Sequence, residues 1–171
     1  MDELTLEKTI GSLESVLHQQ IKLHEQLYTL MNQKREAMRR GDNPGMHELC
    51  DLENEKVQAI SELEKQRLQL VADLTLHVQP DAAAPMRMLE LADALAEPTR
   101  GRLLVLRQQL LERMEQVREQ SSIARRAAQS LVNHMQGILQ TLGALSTGAG
   151  TYGQRGAPTV GGQVSTINVT A

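Results

Sequence analysis

The clearest hydrophobic pattern in the chain runs from Leu103 to Leu145, where apolar residues recur at steps of three and four. The stripe consists of Leu103, Leu106, Leu110, Met114, Val117, Ser121, Ala124, Ala128, Leu131, Met135, Ile138, Leu142 and Leu145. Every member except Ser121 is apolar, and Arg, Glu and Gln occupy many of the other positions. A stripe sustained over about six heptads predicts one long amphipathic helix that packs against other helices.

A second stripe predicts a first helix from Leu6 to Arg40. Its members have heptad spacing and are Leu6, Ile10, Leu13, Leu17, Gln20, His24, Leu27, Met31, Lys34 and Met38. A flanking row widens the buried face at Val16, Leu23, Leu30 and Ala37. After this helix, Gly41 suits the left-handed C′ position, Asn43 can cap the next helix and Pro44 fits its first turn. The short connection predicts an antiparallel helical hairpin.

The second helix is predicted over about residues 44–78. Its apolar residues are Met46, Leu49, Leu52, Ile60, Leu63, Leu70 and Leu74. Because Glu53, Lys56 and Arg67 interrupt this stripe, we expect the helix to be more exposed to solvent than the first. The sequence at Gln79–Asp81 contains a proline and ends the helix.

A shorter third helix is predicted from Ala82 to Ala96, with Asp81 as its N-cap. Glu97 and Pro98 mark a kink or a restart before the long final helix. The predicted fold is therefore all-α: an antiparallel helical hairpin, a short third helix and a long C-terminal helix in a coiled-coil-like bundle. Residues 1–145 form the predicted helical domain.

The composition changes after Leu145. Residues 146–171 are rich in glycine, contain no acidic residue and end on an alternating segment from Val164 to Val169. So few apolar groups cannot offset the entropy of ordering the chain, which predicts a disordered tail. Tyr152 and the β-branched end suggest a recognition segment, and a frayed terminus with no function is the alternative.

Composition excludes several classes of protein. The chain has 171 residues, no Phe or Trp, a formal net charge of −3 and a pI near 6.0. The core must therefore be aliphatic, and the overall charge does not favour nucleic acid or an anionic membrane as a partner. The one cysteine, Cys50, allows no internal disulfide. We expect a cytoplasmic protein because the N-terminus is acidic, without a signal peptide, and no apolar run is long enough for membrane insertion.

The sequence offers little catalytic or metal-binding chemistry. None of the five histidines follows a glutamate at the spacing that di-iron bundles use. His47, Cys50 and Asp51 share one face of a helix, but such a grouping at a helix start is usually incidental. His24 lies on the first stripe, where it is better explained as a polar residue that fixes helix register. No nucleophile motif or phosphate loop occurs, so we expect no enzyme, no cofactor and no metal.

The chain resembles the FlgN family of flagellar export chaperones. The resemblance rests on the helical layout, the Thr151–Gly156 element (Thr-Tyr-Gly-Gln-Arg-Gly), Gly161–Gly162 and the terminal Ser165–Val169 segment. It implies a type III export chaperone that binds the C-terminal amphipathic helix of hook–filament junction proteins. Such a chaperone prevents premature assembly and delivers its client to the export gate.

The resemblance also implies two groups of site residues. The client-binding residues would be Leu131, Met135, Ile138, Leu142, Leu145, Ile167 and Val169. The residues that dock to the cytoplasmic domain of the export gate would be Tyr152, Gly153 and Gly156. Two other functions remain open: a self-associating structural coiled coil, such as a homodimer, and a helical regulator that sequesters another protein.

Overall fold

The computed structural model describes the backbone of residues 3–146 and the side chains of residues 4–143. The helices are α1 (Glu3–Arg40), α2 (Asn43–Val78), α3 (Met88–Ala94) and α4 (Thr99–Ser146). This part of the chain contains no strand, which confirms the all-α prediction with its hairpin, short third helix and long last helix. The predictions for residues 147–171 lie outside the described residues.

The chain divides into two compact units, Met1–Arg125 and Arg126–Ala171. The first unit contains α1, α2, α3 and the beginning of α4. The described part of the second unit is the C-terminal portion of α4. The predicted boundary after residue 145 stays a prediction.

The turn between α1 and α2 forms as the sequence predicts, with one change in its cap. Gly41 adopts a φ of 69°, the left-handed conformation that glycine tolerates at a helix end. The residue that caps α2 is Asp42, whose Oδ1 accepts a hydrogen bond from the Gly45 N–H at 3.0 Å. The prediction of Asn43 as the cap is wrong because Asn43 is already the first residue of α2.

The third helix is much shorter than predicted, since α3 covers Met88–Ala94 and not residues 82–96. Pro85 explains the difference, because proline lacks an N–H and disfavours helical backbone at the preceding residue. Asp81 therefore caps no helix. At the true start, the Arg87 N–H donates to Glu90 Oε2 at 3.0 Å. The cis peptide between Glu97 and Pro98 lies just before α4.

The core of the first unit combines residues from all four helices. The side chains with the lowest exposure are Leu13, Leu17, Leu74, Thr75, Leu91 and Leu103. They lie at the end of the hairpin away from Gly41. Thr75 is tolerated there because its hydroxyl donates to the Val71 carbonyl at 2.7 Å and accepts the Met86 N–H at 3.0 Å. This threonine ties the loop before α3 to α2.

Two of the charged residues that interrupt the α2 stripe are largely buried. The side chains of Glu53 and Arg67 are only 14% and 19% exposed, whereas Leu52, a predicted stripe member, is 40% exposed. Glu53 forms an ion pair with Lys34 of α1. The expectation that α2 is more exposed than α1 holds for the helix as a whole, since three of its described side chains are buried and seven are buried in α1. Glu53 and Arg67 are not the positions that expose it, because their aliphatic stems are largely buried.

Candidate functional site

The stripe that defines α4 is buried at one end of the helix and exposed at the other. Leu103 and Leu106 are 0% and 5% exposed and belong to the core of the first unit. Farther along, Leu110 and Val117 are half-buried and Met114 is 46% exposed. One continuous helix with a regular pattern thus contains a segment whose apolar side chains are buried in the core and a segment whose apolar side chains are exposed.

The open segment lies in the second unit and contains six large apolar side chains. Their exposed fractions range from 47% to 66%, and they are Leu131, Val132, Met135, Ile138, Leu139 and Leu142. Leu131, Met135, Ile138 and Leu142 follow the 4-3-4 spacing of a single helical face. We call these six residues the open face. A face of this kind on a helix is typical of a binding surface for another amphipathic helix.

Sequence reasoning missed Val132 and Leu139. They are seven residues apart and form a second row beside the predicted one, which broadens the open face. Their spacing of seven residues could have revealed them in the sequence. The prediction followed only one row of apolar residues, and both lie outside that row. The wider face suits a partner that packs ridges into grooves rather than along a narrow seam.

A shallow groove crosses one edge of the open face. It is lined by Asn133, His134, Gly137, Ile138, Thr141 and Leu142. Gly137 lies beside open space in this groove, since a Cβ built there would meet no atom within 4 Å. The Thr141 hydroxyl donates to the Gly137 carbonyl at 2.9 Å, which satisfies its hydrogen bonding within the helix. The groove can therefore take an apolar side chain from a partner without leaving the hydroxyl unpaired.

The remaining predicted site residues fall outside the described side chains. Leu145 lies in α4, but its side chain is outside the described set. Tyr152, Gly153, Gly156, Ile167 and Val169 all lie outside the described residues. Their roles in client binding and docking stay predictions.

A polar cluster lies between α1 and α2 in the first unit. Gln20 Nε2 donates to Glu64 Oε2 at 3.0 Å, and Arg67 makes two hydrogen bonds to the same carboxylate, at 2.6 and 2.7 Å. These contacts, led by the hydrogen bonds from Arg67, lower the pKa of Glu64 and raise that of Arg67. Burial lowers the pKa of His24, and the nearby Glu64 charge opposes that shift only in part. The cluster connects the hairpin through polar contacts that a shifted register would break.

The other candidate sites show no catalytic or metal-binding geometry. His47 Nε2 lies 3.8 Å from Asp51 Oδ2, and Cys50 is exposed. No group of three or more His, Cys, Asp and Glu side chains in the described part of the chain is arranged to hold a metal ion. No helix among residues 3–146 has the length and apolar character that crossing a membrane requires.

A protein-family model matches most of the chain. Residues 1–159 match the family described as FlgN protein. No curated protein matches the chain, and no solved structure matches it. The matched range includes all of α1–α4, the open face and the element around Tyr152.

Proposed function

This chain belongs to the FlgN family of flagellar export chaperones, and we propose that its clients are the hook–filament junction proteins. FlgN is a family of chaperones rather than of enzymes. In this proposal, the protein works in the cytoplasm and binds the C-terminal amphipathic helix of a junction protein. It thereby prevents premature assembly and delivers the client to the export gate.

The open face supports this proposal more than any other observation. Leu131, Met135, Ile138 and Leu142 expose about half of their side-chain surface each. Covering such surface with an apolar partner is favourable by about 25 cal/mol per Å². A junction-protein helix that later packs in a filament exposes the same kind of surface before assembly. Each helix would shield the other from water until export begins.

The methionine in this face fits a chaperone that serves more than one client. Met135 is unbranched and polarizable, so it can adapt to different partner side chains at low cost. We propose that Leu145, Ile167 and Val169 extend the client-binding surface beyond the open face. This extension rests on the family resemblance.

A pair of matched leucine variants tests the proposed binding surface. Leu142 and Leu76 are both 56% exposed, but Leu142 lies in the open face and Leu76 lies on α2 in the first unit. We expect Leu142→Ser to weaken binding of a junction-protein C-terminal peptide by about tenfold, as the loss of one well-covered leucine predicts. Leu76→Ser should bind the peptide normally. Equal affinities for both variants in fluorescence anisotropy would contradict the proposed surface.

Self-association is the alternative use of the open face, and the same peptide distinguishes it. Sedimentation of the full chain, with and without the peptide, measures its oligomeric state and so shows whether a second copy occupies the open face. A client-binding protein should shift to a complex of one chain and one or more peptides. A dimer that remains intact and ignores the peptide would favour a structural coiled coil.

We further propose that Tyr152, with Gly153 and Gly156, docks to the cytoplasmic domain of the export gate. An aromatic anchor beside glycines is suited to brief docking, since the ordering cost of such a segment offsets part of the contact energy. Tyr152→Ala should reduce motility while leaving peptide binding unchanged. Loss of peptide binding in this variant would show that the two roles are not separate.

A further inference from the structure

The charges near the open face point to the chemistry of its partner. We propose that the face takes an amphipathic helix whose flanking residues are acidic. This inference rests on the proposed function, because it assumes that a client helix occupies the face. It adds a selectivity that the apolar residues alone do not provide.

The sequence separates its charges sharply along α4. All 21 acidic residues lie at or before Glu119, whereas Arg125, Arg126 and Arg155 lie after it. The negative net charge of the chain therefore belongs entirely to the part before residue 120. The helix that carries the open face has no carboxylate of its own beyond Glu119.

Two arginines earlier in α4 pair with carboxylates of α1, whereas Arg125 and Arg126 pair with no described residue. Arg102 contacts Glu14 at 2.8 Å and Arg113 contacts Glu25 at 2.9 Å, both across to α1. Arg125 and Arg126 are exposed, and neither makes an ion pair with any residue that the structure describes. Their guanidinium groups are available to a partner.

These two arginines are close enough to influence a helix on the open face. They precede Leu131 by six and five residues, which is about 8 to 9 Å along a helix axis. The screening length at physiological ionic strength is about 8 Å. Acidic side chains at the corresponding end of a bound helix would be attracted, and basic side chains would be repelled.

A second copy of this chain fits the face less well than an acidic helix does. If the open faces of two copies pack on each other, in parallel or antiparallel, each segment after Glu119 meets another segment without carboxylates. Arg125 and Arg126 would gain no ion pair, and in a parallel pair they would face each other. The charge pattern thus favours a different chain as the occupant.

Three synthetic peptides test the inference on the full-length protein. Each is an 18-residue amphipathic helix with the same leucine and isoleucine face, and the flanking positions carry Glu, Gln or Lys. Fluorescence anisotropy at low and at high salt would give the affinity of the full-length protein for each peptide. We expect the Glu peptide to bind about tenfold more tightly than the Lys peptide at low salt, from a few exposed charge contacts. High salt should reduce this preference.

An arginine double variant identifies the source of the preference. Arg125→Gln with Arg126→Gln should bring the Glu and Lys peptides to within about twofold of each other. The matched control is Arg39→Gln with Arg40→Gln, an exposed arginine pair at the end of α1, which should keep the full preference. A preference that persists in the first double variant would overturn the inference.

The outcomes separate this inference from the proposed function. If all three peptides bind equally and Leu142→Ser weakens all of them, the inference is wrong and the proposed surface stands. If no peptide responds to Leu142→Ser, both are wrong. If the Lys peptide binds most tightly, and still does so in Leu142→Ser, it is binding the acidic part of the chain and the inference is again wrong.

Discussion

The two ends of α4 share one sequence pattern but differ completely in burial. Leu103 is 0% exposed and Leu142 is 56% exposed, although both belong to the same stripe with the same spacing. Hydrophobic periodicity therefore establishes that a face is apolar, but not whether the chain covers that face itself. The difference depends on which other elements reach each end of the helix.

The first end is covered because three other elements contribute to one core. Leu13 of α1, Leu74 of α2 and Leu91 of α3 cluster with Leu103. Ion pairs from Glu14 to Arg102 and from Glu25 to Arg113 also connect α1 to this part of α4. The order of these contacts along both helices means that α1 and α4 run in parallel. The open face has no comparable set of ion pairs in the described part of the second unit.

The largest expected effect is on stability at the covered end. Leu103→Ala should reduce the free energy of unfolding by about 2 to 5 kcal/mol, because it leaves a cavity in a packed core. Leu142→Ala should change it by about 0.5 kcal/mol or less, as is typical of exposed positions. Urea denaturation followed by circular dichroism measures both. A large loss from Leu142→Ala would mean that the open face is covered in solution.

Much of the first unit could be predicted from sequence. The end of α1 at Arg40 follows from Gly41, whose left-handed backbone terminates the helix. The α1 stripe is accurate throughout, since none of its members is exposed, including the polar Gln20 and Lys34. These features depend on local chemistry and on a regular repeat, which a sequence displays directly.

Other features depended on contacts that a sequence does not display. The prediction of the third helix overlooked Pro85, a signal that was present. The burial of Glu53 and the contact of Glu64 with α1 could not be read from α2 alone, because they depend on Lys34 and Gln20 of the partner helix. The exposure of Leu131 and its neighbours likewise depends on whether other elements of the fold contact them, which the sequence of α4 does not show. The pattern identified four residues of the open face, and the structure added its second row.

A second prediction concerns the polar cluster between α1 and α2, which helps to stabilise the first unit. Arg67→Leu should cost about 1 to 3 kcal/mol of stability, since it leaves the partly buried Glu64 carboxylate without its main donor. The matched control is Lys65→Leu. Lys65 pairs with Glu62 at the same spacing, but both side chains are about two thirds exposed. That variant should change stability by about 0.5 kcal/mol or less.

If both variants behave alike in thermal unfolding, stability does not depend on the pair between Arg67 and Glu64. A Gln20→Leu variant then distinguishes packing from polar pairing, because Gln20 is 2% exposed and donates to Glu64. A loss of stability in this variant would restore the role of the cluster.

A third prediction uses two glycines of α4 to probe the open face. Gly137→Ala and Gly143→Ala should each stabilise the helix by about 0.5 to 1 kcal/mol, because a Cβ at either position meets no atom within 4 Å. Only Gly137→Ala partly fills the groove beside Ile138. We therefore expect it to weaken peptide binding by about threefold, while Gly143→Ala binds normally. Equal binding by both variants would remove the groove from the recognition surface.

The smallest expected effect is a pH dependence of stability that arises from the partly buried His24 in the first unit. Burial lowers the pKa of His24 in the folded protein below its ordinary value of 6.5, despite the attraction of Glu64. The unfolded chain therefore binds a proton at His24 more readily, and stability falls as the pH drops below about 6.5. Glu64, also with a lowered pKa, adds to this loss only at more acidic pH, where its carboxylate begins to take up a proton.

His24→Gln should therefore flatten the decline in melting temperature between pH 6.5 and 5. This change in melting temperature should be smaller than the loss that Arg67→Leu causes. An unchanged decline in His24→Gln would mean that the burial of this histidine does not produce the pH dependence.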